Sequence, residues 1–184
     1  MPELFLEIGS EEIPSGYVQP ALEYMREELA SFFSRNRIKA EAPEIMGTPR
    51  RLVVSVKGVD ALQEDIVELF HGPSVSVAYD DQGNPTKAAI GFARGKGIDV
   101  SQLARDKTSK GEVVCARVEK KGRSTPEHLN EFLPQFIGNI PFSKKMRWAD
   151  KARPFARPLH WITALFDGEP LEFSFDGISC GNFS

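Results

Sequence analysis

Between Pro141 and Trp161 the chain places Lys144, Lys145, Arg147, Lys151, Arg153 and Arg157 against a single acid, Asp150. The same stretch holds Trp148 and Trp161, both tryptophans of the protein, together with Phe142, Phe155 and His160. Cationic heads alternating with flat rings suit a single-stranded or looped RNA, the charges for phosphates and the π-faces for bases. The competing reading makes the rings core and the cations the wet side of the same segments, since aromatic rings bury wherever a core exists. A second cationic spot is Arg50-Arg51, directly behind Gly47-Thr48-Pro49. Arginine grips a phosphate bidentately and lysine acts as a point charge. Salt bridging to the abundant glutamates is the alternative for the arginine pair.

Residues for bond-making chemistry do not assemble. His71, His128 and His160 fall in three different elements, with no HExxH or HxxxH pair to suggest a metal. There is no GxSxG elbow, and neither Cys115 nor Cys180 has a catalytic signature around it. Asp80-Asp81-Gln82-Gly83-Asn84-Pro85 lacks the ligand spacing and terminal glutamate of a calcium loop and reads as a turn. Gly95-Lys96-Gly97 has no GxxxxGK[ST] frame. Glu11-Glu12 could do acid–base work, but acids at a strand-to-helix turn are also what a helix dipole favours. The sequence therefore predicts no catalytic, cofactor-binding or metal residues, and contact residues instead.

Length and charge narrow the class. A chain of 184 residues can bury about 70% of its unfolded surface without disulfides or metal. It fits one domain or two closely packed α+β subdomains, with a break between residues 60 and 85. The net charge of −3 gives no global pull toward nucleic acid, so any RNA contact must be local. The two distant cysteines read as reduced thiols. With no leader-like start and no apolar run of membrane-spanning length, the expectation is a cytoplasmic chain that does not enter a membrane. The sequence stops at SCGNFS, directly after a strand-like segment, which predicts a cut inside a longer protein.

The elements that must position the cations follow from periodicity. Leu4, Leu6 and Ile8 alternate as a strand. Val18, Leu22, Met25, Leu29 and Phe33 recur at helical spacing to Arg35-Asn36. Gly47-Thr48-Pro49 reads as a turn leading into a strand through Leu52, Val54 and Val56, with Arg50 and Arg51 at its entrance on opposite faces. Asp65–His71 and Glu112–Lys120 read as strands. Thr86–Lys96 reads as a short helix capped by Thr86, and Thr125-Pro126-Glu127 opens a longer one with Thr125 as cap. Leu159–Phe166 and Leu171–Phe175 across Asp167-Gly168 read as a hairpin. Trp161, with Ile162 and Leu165, belongs to its core, and Lys144 to Arg157 is expected to be exposed and irregular. The fold class is α+β, mainly antiparallel sheet with a few packed amphipathic helices.

Four segments, in order, resemble the N-terminal part of bacterial glycyl-tRNA synthetase β subunits. They are LFLEIGSEEIPSGY, GTPRRLVVSV, GNPTKAAIGFARGKGI and PFSKKMRWADKARPFARPLHWITALF, and the resemblance covers essentially residues 1–184. It implies an assembly of two α and two β subunits. The α subunit would carry the class II core that uses ATP and Mg to make glycyl-adenylate and then charges tRNA. The β subunit would handle tRNA and be several times longer than this chain, which alone should be inactive. No cofactor is expected in this chain, and no DNA or membrane partner. The resemblance offers Arg50 and Arg51, and Lys144, Lys145, Arg147, Arg153, Arg157 and His160, as contacts to tRNA or the α subunit. Two alternatives stay open: a docking module that meets only the α subunit, and a relic editing-type domain using Glu11 or Glu12. A likeness to the editing-type domain of phenylalanyl-tRNA synthetase β subunits exists at fold level only.

Overall fold

The computed structural model describes residues 2–109, 111–148 and 153–181. Lys151 and Asp150 of the basic stretch lie outside the described residues. In chain order the elements are β1 (Leu4–Ser10), α1 (Ser15–Arg35), β2 (Glu44–Thr48), β3 (Arg51–Val56), β4 (Ile66–Ser74), α2 (Val75–Ala78), α3 (Lys87–Gly95), β5 (Ala104–Thr108), β6 (Gly111–Lys120), α4 (Thr125–Asn139), β7 (Leu159–Phe166), β8 (Glu169–Pro170), β9 (Ser174–Phe175) and β10 (Ile178–Gly181). The fold is α+β and mainly antiparallel. Chain contacts divide it into unit 1, residues 1–64 with 123–184, and unit 2, residues 65–122.

Among the described residues unit 1 builds a seven-stranded sheet, ordered β2-β3-β1-β7-β10-β9, with β8 paired to β7. One pairing, β7 with β10, is parallel. Register follows from the apolar alternation: Leu4, Leu6 and Ile8 of β1 stand opposite Val56, Val54 and Leu52 of β3. All six are essentially inaccessible. α1 and α4 lie together against this layer. Leu22, Met25 and Leu29 supply one apolar stripe, and Leu129, Leu133 and Ile137 the other. Phe32 of α1 stacks on Phe132 of α4 at a centroid distance of 4.1 Å.

Unit 2 is a three-stranded antiparallel sheet, β4-β6-β5, with α2 and α3 on one face. Phe92 of α3 lies so close over Gly72 of β4 that a Cβ there would come within 2.7 Å of its ring. Glycine is required by that approach rather than by any special backbone angle.

Several local expectations are corrected. Gly47 and Thr48 are not a turn but the end of β2, a strand that the sequence reading missed because its pattern is largely exposed. The reversal falls at Pro49-Arg50. Thr86 holds the N-cap position of α3 as expected, but its hydroxyl makes no capping bond and donates instead to the Val77 carbonyl at 2.7 Å. Ser124, not Thr125, caps α4 by accepting from Glu127 N–H. Thr125 is fully buried and donates to the Asp60 carbonyl at 2.6 Å. The final hairpin has a two-residue return, β8, and Leu171 to Phe173 leave the ladder.

Candidate functional site

Three separated segments converge at one end of the unit 1 sheet: the β1–α1 turn, the β2–β3 turn and the entry to β7. Backbone groups tie them together. Ser10 N–H donates to the Arg50 carbonyl at 3.0 Å, and Ile13 N–H to the Pro49 carbonyl at 2.7 Å. On the other side Glu11 N–H donates to the Pro158 carbonyl at 2.9 Å. Ser10 is wholly buried in this junction, so its ties replace water that cannot reach them.

The register between β1 and β7 slips at this point: Gly9 faces Trp161 while Ser10 faces Leu159. His160 is the extra residue of that bulge, and a bulge re-aims the side chain it carries. The His160 ring turns to Glu11, with Nε2 2.7 Å from Oε1. Arg157 is likewise engaged, donating through Nε to the Glu12 carbonyl at 3.1 Å and through a terminal nitrogen to the Ala156 carbonyl.

On the sheet face away from α1 and α4, Glu7 is only 6% exposed. It accepts from Trp161 Nε1 at 2.8 Å and faces the Arg51 guanidinium at 3.6 Å. Arg51 in turn lies over the indole, 5.3 Å from its centroid. A buried carboxylate needs such donors, so Glu7 orients Trp161, and Trp161 seats Arg51. Gly9 makes the arrangement fit, because any Cβ there would fall 2.0 Å from the indole.

Two other cations finish the C-terminal end of α4. Lys145 Nζ donates to the Gly138 carbonyl at 3.0 Å, and Arg153 to the Pro134 carbonyl at 3.2 Å. The Gly138 carbonyl belongs to the last turn of α4, where carbonyls lack intrahelical donors and carry partial negative charge that favours a cation. Burial pulls the Lys145 ammonium below its ordinary pKa. Arg153 also packs over Phe175.

The eight sequence candidates thus separate. Arg51, Arg157 and His160 meet at the sheet end, with Arg50 in the adjoining turn. Lys145 and Arg153 meet at the end of α4. Lys144 and Arg147 lie on the segment between, which an isolated bridge from Met146 to Phe155 holds in place. Arg50, Lys144 and Arg147 are exposed, and their side chains make no hydrogen bond or ion pair among the described residues. The expectation of an exposed, irregular run is corrected at Phe155 and Ala156, which are buried. Of the two readings of the rings, Phe142 and Phe155 follow the core one, packing edge to face at 4.8 Å. Glu7 and Gly9 were missed by sequence reasoning. An acid in the middle of an otherwise apolar strand was the signal available.

Among the described residues no group of His, Cys, Asp or Glu could hold a metal ion. No described helix is long and apolar enough to cross a membrane. Cys115 and Cys180 are free thiols.

The family model for the glycyl-tRNA synthetase beta subunit matches residues 4–184. A glycine–tRNA ligase beta subunit of Citrifermentans bemidjiense is 54% identical over 182 residues, covering 99% of this chain and 26% of the relative. The same-named protein of Geobacter metallireducens is 48% identical over 184 residues, 100% of this chain and 27% of its own length. That of Syntrophus aciditrophicus is 42% identical over 179 residues, 97% and 26%. The chain spans about a quarter of the length of these relatives. On the whole-chain match and these identities, the chain belongs to the glycyl-tRNA synthetase beta subunit family.

Proposed function

We propose that this chain is the N-terminal region of a glycine–tRNA ligase β subunit, without catalytic residues of its own, and that it supports glycylation by contacting tRNA. The observation that carries this is the set of cations left over. Arg50, Lys144 and Arg147 are exposed and make no side-chain hydrogen bond or ion pair among the described residues, whereas Glu7 and Glu11 of the same unit are already engaged. Exposed cations without an acid partner are available to attract phosphates. The start of α1 adds no further acid: its cap, Pro14, supplies no side-chain acceptor and its first turn has no acid. In this proposal a partner α subunit binds ATP and Mg and carries the chemistry, in an assembly of two α and two β subunits in the cytoplasm.

The test is tRNA binding by the assembled two-subunit enzyme across a salt series, unsubstituted and as Arg50→Ala with Arg147→Ala. If both contact phosphates, affinity falls and the log–log salt slope flattens by roughly 0.7 to 0.9 per contact removed. An unchanged slope refutes the phosphate assignment. Unchanged tRNA affinity with lost co-elution of the α subunit would transfer these residues to subunit docking instead.

A further inference from the structure

We propose that the exposed face of the unit 2 sheet is a docking face for the part of a full-length β subunit that lies beyond the matched region. The proposal rests on reading this chain as the N-terminal region of such a subunit. The β4–β6 register puts Val67, Leu69 and His71 on one face, opposite Glu119, Arg117 and Cys115. α2 and α3 occupy the other face, where the buried cluster forms. Val67 and Leu69 remain 62% and 45% exposed.

The energetic reason is the poverty of the core. The buried cluster of unit 2 is small, Ala78, Ala89 and Val114, with Val75, Tyr79, Phe92, Val100 and Leu103 only partly buried against it. A domain of roughly 60 residues is marginal even with a normal core, and here Val67 and Leu69 stand outside it. Covering Val67 and Leu69 would supply apolar burial that the unit itself lacks.

The choice of occupant follows from charge and permanence. The face is mixed in sign: Glu119 stands opposite Val67, and Asp106 is held by His71 at 2.8 Å. A phosphate backbone would meet acids there as readily as Arg117. A dissociable protein partner would leave unit 2 underpacked whenever it departed, whereas the same polypeptide is always present. The relatives are long enough to supply it, since the matched region is 26% of the Citrifermentans bemidjiense protein.

Hydroxyl-radical footprinting of an unsubstituted full-length β subunit carrying this region, purified without partner subunit or RNA, reads the two side chains directly. Protection is measured against the same protein unfolded in urea. A half-exposed side chain should be protected about twofold, and one in a dry interface core about tenfold or more. Tenfold protection at Val67 and Leu69 is the expected result. Protection near twofold overturns the proposal, including where added α subunit or tRNA then raises it and so claims the face. Glycylation of tRNA by the same preparation, completed with α subunit, scores the underlying reading separately, because glycylation can succeed while the docking proposal fails.

Discussion

Gly9→Ala should destabilise unit 1 through one identifiable contact, the indole of Trp161. The added Cβ would sit 2.0 Å from a ring atom, with two more ring atoms at 2.3 Å. No atom pair tolerates that separation, so the ring must move off the strand. Overpacking of this kind costs about 1–3 kcal/mol. Moving the ring also breaks the 2.8 Å bond from Nε1 to Glu7. A buried carboxylate that loses a donor forfeits roughly 1.5–3 kcal/mol. Arg51, at 3.6 Å, still faces that carboxylate, which argues for the lower end of the second range and a total of about 3 kcal/mol. Gly9 has no positive φ, so backbone strain adds nothing. The assay is a double-mutant cycle by urea unfolding followed by circular dichroism: Gly9→Ala, Trp161→Ala and the double variant. With the indole gone, Gly9→Ala should be neutral or slightly stabilising, because it then only restricts the unfolded chain. The coupling energy between the two sites should therefore be about 2 kcal/mol or more. Equal destabilisation by Gly9→Ala in both backgrounds would refute the steric account and point to the bulge backbone instead.

Two further outcomes follow from α4. Thr125→Val strands the Asp60 carbonyl inside the protein and should cost about 1–3 kcal/mol, against about 1 kcal/mol for Ser124→Ala, which loses a cap that water can partly replace; chemical denaturation giving the reverse ranking would contradict the cap assignment. His128 has a ring nitrogen, Nε2, buried without a partner, and burial first, then the Arg123 charge, holds its pKa below the ordinary value. Below about pH 6.5 the unfolded chain then binds a proton that the folded chain refuses, so this group withdraws stability as the pH falls through that window. His128→Gln should flatten the pH dependence of stability there, and a titration of unfolding free energy showing identical slopes for both proteins would remove the claim.

Much of the fold was legible because the patterns are local. β1, β3 and β6 announce themselves by alternation, and α1 and α4 by apolar residues at helical spacing. β2 was not legible: Glu44–Thr48 has little to bury, and its place is fixed by pairing with β3 and by the approach of α1 to Gly47. The caps were off because Thr125 is spent on a distant carbonyl, a partner that no local rule can name. For the same reason the rings of the basic stretch divided unforeseeably. Phe142 and Phe155 went to the core, while Trp161 became a support for Arg51.

The basic stretch also shows why counting charges in a sequence overstates the charge available to a ligand. Cations there were expected to face outward together. Lys145 and Arg153 instead turn to the carbonyls of α4, and Arg157 turns to that of Glu12. Each of these donors is already engaged with the fold, so recruiting it for a phosphate would cost a charged hydrogen bond of about 1.5–3 kcal/mol. Arg50, Lys144 and Arg147 carry no such cost. Alanine at an engaged position should therefore register mainly as lost stability, and alanine at a free position mainly as lost affinity. A free-position variant that lowers stability as much as Arg153→Ala would show that the division is wrong.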